Sequence, residues 1–291
     1  MTLNHGSFAH TDEHCIEMKK CLVIICFIIG IAIPAFGEPA KRIVSLAPNI
    51  TEILYALNVE DRIVGVTNFC DFPEAAKTKP RIGGMSNPSL EAVLSLKPDL
   101  VMVTTDGNAR QFEERLRSLK MKTYVFRARH IADFPSELRS MGSLLGVSKK
   151  AEILARELET ALAKRKSELS REQSMIQKKI LFVIWPDPLI VAGSNTVIND
   201  AITMLGYENS AHRATSAYPK YSLEAVLQEP PDMIVIGKGH PDMKKLSEGI
   251  LQRLSFVPAA KNGAVCYVSD NLYRLGPRVI NGIEELEACF K

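Results

Sequence analysis

Short, unbroken apolar runs alternate with longer amphipathic stretches along most of this chain. The runs are typical of strands buried on both faces of a parallel sheet, and the stretches between them favour helices. Strands that alternate with helices predict an α/β fold with parallel sheets and right-handed crossovers. The predicted strands lie at 42–46, 63–66, 100–103, 123–126, 179–184, 233–236 and 264–268, and the longer predicted helices at 48–58, 109–119, 148–173, 197–205, 243–253 and from about 277.

One stretch of this pattern occurs twice. Ser89–Val103 and Ser222–Ile236 agree at eight of fifteen positions, six of them in the hexapeptide Ser-Leu-Glu-Ala-Val-Leu and two in a Pro-Asp pair. Each copy reads as a short helix, a turn and a buried strand. The offset of 133 residues is far longer than the ~20–50 residues of a solenoid repeat, so it indicates two domains of one design. Two similar lobes usually enclose a cleft, and clefts between domains bind ligands.

A long helix is predicted between the two copies. The segment from Ser148 to about Gln173 holds no Gly or Pro and begins with a residue type favoured at the N-cap. A helix of about 25 residues spans roughly 37 Å. Its position favours a strut joining two lobes, although a peripheral helix of one lobe fits the same pattern. The prediction divides the chain into a leader (1–37), an N-terminal α/β lobe (38–147), a connecting helix (148–174) and a C-terminal α/β lobe (175–291).

The first 37 residues have the pattern of an export signal. A basic start at residues 18–20 precedes an apolar run of 13 residues at 21–33, and small residues follow at Ala35 and Gly37. The run is shorter than the ~20 residues that a membrane-spanning helix needs. We expect export with cleavage after Gly37, and Met18 as the true start. An uncleaved membrane anchor is the competing interpretation.

Charge and cysteine content narrow the possible functions. The formal net charge is +3, and the sequence has no basic stripe, zinc-finger spacing or RNA-binding aromatic motif, which argues against a nucleic-acid partner. Beyond the leader three cysteines remain, Cys70, Cys266 and Cys289. An odd number in an oxidising compartment allows one disulfide and one free thiol, and the sequence leaves the pairing open. Their spacing matches no metal motif.

The sequence also lacks the common catalytic motifs. It has no Gly-x-Ser-x-Gly elbow, no Gly-x-x-x-x-Gly-Lys phosphate loop, no Gly-x-Gly-x-x-Gly after a strand and no His-Glu-x-x-His helix. His130, His212 and His240 are scattered in loop-like sequence, which favours surface positions. We therefore expect a binding protein without a catalytic site, a metal site or a resident cofactor. An enzyme that acts on a metal chelate is the alternative from another class.

Four motifs taken together are recognisable: the run Ser45–Glu52, the Val-Gly-Val at 64–66 with its following loop, the doubled hexapeptide and the segment 193–199. With them the chain resembles the periplasmic substrate-binding proteins of ABC importers for corrinoids, ferric siderophores and haem. The resemblance runs from Arg42 to the last helix. It is strongest to the cobalamin-binding branch, through Cys70-Asp71-Phe72-Pro73, Ser269-Asp270, Arg274 and Pro277-Arg278.

The resemblance implies two Rossmann-like lobes joined by a single backbone helix, with a small hinge motion and a ligand held in the cleft. It places Glu91 and Glu224, which match in the two copies, beside the cleft mouth, where they meet arginines of an ABC importer permease in the inner membrane. Exposed carboxylates pair bidentately with Arg, although a Glu in a first helical turn also stabilises its own helix. The implied receptor is a monomer.

Aromatic side chains suit a large, flat, amphipathic ligand because they offer wide contact at little rotameric cost. In the cobalamin binder, tryptophans align with Met85 and Tyr218, and a Glu aligns with Tyr273. This smaller lining keeps a corrinoid as the expected ligand. It leaves a ferric siderophore or haem open, with Tyr218 or Tyr273 as iron ligand. The candidate ligand-binding residues are Asn49, Phe69, Phe72, Met85, Trp185, Tyr218, Asp270, Tyr273 and Arg274, although Phe72 reads equally well as a core residue.

Overall fold

A sheet of four parallel strands forms the centre of the N-terminal half. The computed structural model describes residues 1–2, 38–172 and 178–290, so the predicted leader lies almost wholly outside the described residues. The strands are β1 (Ile43–Ser45), β2 (Ile63–Val66), β3 (Leu100–Thr104) and β4 (Thr123–Phe126). They lie in the order β2-β1-β3-β4. Every residue of β3 is buried, as expected for a central strand covered on both faces.

Four helices accompany this sheet: α1 (Pro48–Ala56), α2 (Leu90–Ser95), α3 (Arg110–Ser118) and α4 (Phe134–Leu145), with 3-10 turns at Glu60–Arg62, Glu74–Thr78 and Ile131–Asp133. Helix α1 begins at Pro48, whose fixed φ suits the first helical position. The sequence pattern did not predict α4, because Pro135 and Gly142 interrupt it. Pro135 lies in the first turn, where its missing N–H removes no helical hydrogen bond.

A helix of 25 residues, α5 (Ser148–Glu172), follows α4 and precedes the second sheet. The predicted helix from Ser148 is therefore confirmed, while its predicted last residue, Gln173, lies outside the described residues. Helix α4 packs closely on α5, and a Cβ added at Gly142 would lie 2.2 Å from Ala151 Cβ. Gly142, which interrupted the helical pattern in the sequence, is thus needed for the close contact between α4 and α5.

The C-terminal half has a second sheet with the same central plan. Its strands are β5 (Lys179–Pro186), β6 (Leu189–Val191), β7 (Glu208–Asn209), β8 (Met233–Gly237) and β9 (Val265–Val268). Strand β5 is parallel to β7 on one side and to β8 on the other, and β9 extends the sheet beyond β8. Strands β7, β5, β8 and β9 thus occupy the places of β2, β1, β3 and β4. Strand β6 departs from the predicted parallel pattern, since the chain turns after Pro186 and pairs antiparallel with β5. The helices are α6 (Val197–Met204), α7 (Leu223–Gln228), α8 (Met243–Arg253), α9 (Pro258–Lys261) and α10 (Val279–Ala288).

The sequence repeat corresponds to a structural repeat. Helices α2 and α7 precede β3 and β8, and each is capped by its serine: Ala92 N donates to Ser89 Oγ at 3.2 Å, and Ala225 N donates to Ser222 Oγ at 3.1 Å. The repeated aspartates also have the same structural role in the two halves. Asp99 accepts hydrogen bonds from the backbone N–H groups just before β1, and Asp232 accepts from that at the first residue of β5. The Pro-Asp pair therefore fixes where each central strand begins.

The hydrophobic core shows how the two sheets are joined. One buried cluster contains Val93 of α2 together with the outer face of the first sheet, and a second contains Val226 of α7 together with the outer face of the second sheet. A third cluster runs from Ile50 of α1 to Ile198 of α6, so the inner faces share apolar packing. Residues 40–291 form one compact unit. The predicted lobe boundaries at 147–148 and 174–175 stay a prediction.

A disulfide closes the end of the C-terminal half. Cys266 of β9 is bonded to Cys289, which follows α10, and their Cα atoms are 5.8 Å apart. The sequence left the pairing open, and the structure shows this one. Cys70 is free and buried; its sulfur accepts a hydrogen bond from Thr51 Oγ1 at 3.1 Å.

Candidate functional site

A cavity of about 620 Å³ lies between the two sheets. Parallel strands place ligands beyond their carboxyl ends, and the cavity follows this rule in both halves. Thr104 ends β3, Ala128 and Arg129 follow β4, Trp185 lies near the end of β5, and Gly239 follows β8. The remaining lining residues are Pro48, Asn49, Phe69, Met85, Ser86, Asp106, Gly107, Ile184, Asn195, Thr196, Val197, Ala217, Tyr218, Met243, Tyr273, Arg274 and Leu275.

Most of the predicted ligand-binding residues line this cavity. They are Asn49, Phe69, Met85, Trp185, Tyr218, Tyr273 and Arg274. Phe72 and Asp270 are not among the lining residues. The Phe72 ring is 44% exposed and lies under the Arg278 guanidinium, 4.0 Å from its Cζ atom. Asp270 binds Arg274 from the side, with 2.5 Å between Oδ2 and Nη2. A role of any of these residues in binding a ligand stays a prediction.

Two aromatic rings of the C-terminal half are held in place by neighbours. Trp185 is half-buried, donates from Nε1 to the Asp187 carbonyl at 2.9 Å, and meets the His240 ring edge to face at 6.1 Å. Tyr273 meets the Phe182 ring in the same manner at 6.3 Å. A Cβ added at Gly239 would lie 2.5 Å from the Tyr273 hydroxyl oxygen. The glycine after β8 therefore makes room for this tyrosine at the cavity wall.

A hydrogen bond crosses the cavity from one half to the other. The Tyr218 hydroxyl donates to Asp106 Oδ2 at 3.2 Å. Burial raises the pKa of Asp106, while the Tyr218 hydroxyl and the Arg129 charge oppose that shift. Burial also raises the pKa of Tyr218 far above its usual value, and the Asp106 carboxylate adds to this effect. Burial and the neighbouring carboxylate thus both favour the neutral phenol form of Tyr218.

A network of charged side chains joins the two halves at one edge of the cavity. Glu52 of α1 is only 2% exposed and accepts from Arg278 Nε at 2.8 Å and from Arg278 Nη2 at 2.5 Å. Burial raises the pKa of Glu52, although Arg278 and Arg274 both favour its charged form. Arg274 bridges Asp71 of the N-terminal half, at 2.6 Å, and Asp270 of the C-terminal half.

This network explains two of the motifs read from the sequence. The run Ser45–Glu52 contributes Glu52, and Asn49 donates from Nδ2 to the Leu275 carbonyl at 3.3 Å. The segment around Arg274 and Arg278 supplies the partners from the other half. Residues far apart in sequence thus form one contact, in which Arg274 is already neutralised by carboxylates.

Arg129 is the cavity cation that the sequence interpretation missed. Its guanidinium donates from Nη2 to the Thr105 carbonyl at 3.3 Å. In the part of the chain that the structure describes, no carboxylate lies within ion-pair distance of it, although the Asp106 charge is near enough to be influenced by it. Asp106 and Arg129 could have been found by asking which polar residues follow β3 and β4.

Among the described residues, no group of three or more His, Cys, Asp or Glu side chains is placed to hold a metal ion. No helix in the ranges that the structure covers is long and apolar enough to span a membrane.

His130 and Asp200 form a further contact between the halves, with 3.0 Å between Nδ1 and Oδ1.

Comparison with known families identifies the chain. The sequence model of the periplasmic binding protein family matches residues 43–272, and the chain belongs to this family. It is 25% identical over 264 residues to a vitamin B12-binding protein of Pectobacterium carotovorum subsp. carotovorum (strain PC1), covering 90% of this chain and 93% of that protein. It is 32% identical over 256 residues to YvrC, an uncharacterized ABC transporter substrate-binding lipoprotein of Bacillus subtilis (strain 168), covering 86% and 79% respectively.

Solved structures share the fold. The periplasmic vitamin B12 binding protein BtuF of Vibrio cholerae superposes with a TM-score of 0.75 at 23% identity, covering 87% of this chain and 97% of that chain. The periplasmic haem-binding protein RhuT from Roseiflexus sp. RS-1 superposes with a TM-score of 0.77 at 26% identity, covering 87% and 98%. The predicted fold class is confirmed, and the protein is a substrate-binding protein rather than an enzyme.

Proposed function

We propose that this protein captures a corrinoid between its two halves and delivers it to the permease of an ABC importer. The curated relatives named for vitamin B12 support the ligand, and the relative named as an ABC transporter substrate-binding lipoprotein supports the partner. The observation that carries the proposal is a cavity whose rings come from Phe69, Trp185, Tyr218 and Tyr273, with few charges. Such a lining suits a wide amphipathic macrocycle.

The state of the two tyrosines favours a corrinoid over tyrosine-ligated haem. A corrinoid holds its cobalt in its own macrocycle and needs no metal ligand from the protein. Haem held by Tyr requires a phenolate. Burial raises the pKa of Tyr273 far above its usual value, as it does that of Tyr218. Forming a phenolate therefore costs more at these two positions than at an exposed tyrosine, which argues against either residue as a haem-iron ligand.

Arg129 gives the proposed ligand an electrostatic match. Cobalamin carries one phosphodiester anion in its nucleotide loop, and cobinamide lacks that loop. A guanidinium without a carboxylate partner in the described residues is suited to such an anion. In this proposal the aromatic residues bind the macrocycle, and Arg129 binds the phosphate.

Calorimetric titration with cyanocobalamin and with dicyanocobinamide tests the ligand. We expect saturable binding of both. Arg129→Gln should weaken cyanocobalamin by roughly tenfold or more and leave dicyanocobinamide unchanged, since a hydrogen bond to a charged group contributes about 1.5–3 kcal/mol. Absence of a binding signal with both corrinoids, together with binding of haem or a ferric siderophore, would refute the proposal of a corrinoid ligand.

The docking part of the proposal rests on Glu91 and Glu224. Both are exposed in the first turns of α2 and α7. We propose that these carboxylates meet basic residues of the permease. The double variant Glu91→Ala, Glu224→Ala should bind corrinoid normally and lose uptake. The double variant Glu157→Ala, Glu248→Ala removes two other exposed carboxylates and should transport normally. Full uptake by the first variant would defeat the docking claim.

The proposal also includes the location and the assembly state. We propose that the leader directs the protein to the periplasm, where it acts as a monomer with lobes bounded at 147–148 and 174–175. Mass spectrometry of the protein from its native host tests the leader, since cleavage after Gly37 gives a chain that begins at Glu38. A mass that retains residues 18–37 would favour the membrane anchor instead. Light scattering tests the monomer.

A further inference from the structure

The two repeat helices share an exposed leucine as well as an exposed glutamate. Leu94 and Leu227 are 37% and 56% exposed, and each lies three residues after its glutamate. Residues three apart lie on the same face of a helix. We call Glu91 with Leu94 and Glu224 with Leu227 the paired patches.

The surroundings of the two patches match residue by residue. From Ser89 to Ser95 the side chains are exposed, half-buried, exposed, half-buried, buried, exposed and exposed, and Ser222–Gln228 has the same order. The two helices therefore lie on their sheets in the same orientation. Each presents the same carboxylate and the same apolar side chain to the outside.

The fold accounts for the repeated serines, valines and first-position leucines, and a glutamate in the first turn also stabilises its own helix. Leu94 and Leu227, by contrast, belong to none of the buried clusters among the described residues. The serines cap the helices, and Val93 and Val226 are buried in the cores of their own sheets. The leucines at the first helical positions pack partly against the same cores. A single exposed leucine needs no explanation. The same exposed leucine beside the same exposed glutamate on both helices indicates a surface used twice.

We propose that the paired patches are two equivalent contact sites for the permease, in which the leucine supplies apolar anchoring and the glutamate supplies orientation. This inference rests on the proposed function and extends it from two charges to two composite sites. Because the sites are chemically identical, they fit a partner that presents one basic and apolar surface twice, as a two-fold symmetric dimer does. Exposed charges mainly set the association rate and orientation. The two leucines, which would become buried on docking, would therefore determine how long the complex lasts.

The test measures docking of the corrinoid-loaded full chain to the permease–ATPase complex of the same organism in lipid nanodiscs. We expect Leu94→Ser with Leu227→Ser to weaken docking about a hundredfold, or roughly tenfold for each leucine, mainly through faster dissociation. The salt dependence should stay that of the wild type. Glu91→Gln with Glu224→Gln should instead slow association and flatten the salt dependence.

Matched controls isolate the position of the leucines. Leu119 and Ile153 are 41% and 54% exposed, close to the exposures of the patch leucines. The double variant Leu119→Ser, Ile153→Ser should dock like the wild type. Circular dichroism and corrinoid titration verify that each variant is folded and loaded.

The possible failures are distinguishable. Normal docking of the leucine variant alongside impaired docking of the glutamate variant overturns this inference and leaves the proposed function intact. Normal docking of both variants overturns the docking surface itself. If the wild type binds empty nanodiscs and the leucine variant does not, the leucines contact lipid instead of the permease. If the wild type self-associates and the leucine variant does not, the leucines contact a second copy of the chain. Failure of the wild type to bind any corrinoid would instead overturn the proposed function.

Discussion

Removing the charge of Glu52 should destabilise the protein strongly although the change adds no bulk. Glu52→Gln keeps the shape of the side chain but leaves Arg278 without its carboxylate partner. Both groups are largely shielded from water, with Glu52 2% and Arg278 20% exposed. Breaking a buried pair on one side typically costs ~3–5 kcal/mol. We take the lower end, about 3 kcal/mol, for two reasons: burial disfavours the charged form of Glu52 and so offsets part of the gain from the pair, and Arg278 keeps Asn271 and the more distant Asp270 as neighbours.

Urea unfolding measures this cost. A loss of about 3 kcal/mol corresponds to an unfolding constant roughly 160-fold larger and to a midpoint lower by about 1 M or more. A double-mutant cycle with Arg278→Met then separates the pair from its surroundings. The double variant leaves no unpaired charge, so it should cost much less than the sum of the two single variants.

The exposed pair Arg110–Glu114 is the matched control. Its N–O distance of 2.9 Å is similar, but both side chains are mostly exposed. Glu114→Gln should cost less than about 0.5 kcal/mol because exposed pairs are screened by water. If Glu52→Gln costs no more than Glu114→Gln, or if the two changes in the cycle are additive, the buried network does not hold the halves together and the reasoning fails.

Three further outcomes follow from other contacts. Tyr218→Phe removes the donor to buried Asp106 and should cost about 1–3 kcal/mol in urea unfolding; an unchanged midpoint would contradict the cross-cavity bond. Cys266→Ser opens a loop of 23 residues and should lower the unfolding free energy by about 3 kcal/mol. Equal stability of the wild type under oxidising and reducing conditions would contradict a stabilising role of the disulfide. The hydrogen bond to Asp200 raises the pKa of His130 above 6.5, so the pair stabilises the fold below that pH and loses this contribution as pH rises through the raised value. Urea unfolding at pH 5.5 and 8.5 should show this loss in the wild type and not in Asp200→Asn; equal pH dependence in both proteins would refute it.

The local elements were predictable because their causes are local. The apolar runs gave the core strands β1, β3, β5 and β8, since a strand buried on both faces must be apolar throughout. The extent of α5 followed from the absence of Gly and Pro, although Ser148 is the first helical residue rather than the predicted N-cap. The repeat predicted two similar halves, and the equivalent strand orders of the two sheets bear this out.

The contacts between the halves were not predictable from one sequence. Nothing in the order of residues says that Glu52 meets Arg278 or that Asp106 meets Tyr218, since each pair is more than a hundred residues apart. Phe72 was proposed as a cleft residue because an aromatic loop after a strand suggests one. In the structure its ring covers a guanidinium of this charged network instead.

In the docking that we propose, the matching helices α2 and α7 have a consequence for the encounter with a symmetric partner. A two-fold symmetric partner can bind such a protein in two orientations related by a 180° rotation, because α2 and α7 present the same side chains. Each collision then has two productive alignments in place of one, which raises the arrival rate by about twofold without strengthening any bond. The cargo has no such symmetry, so it would enter the channel in either of two opposite poses.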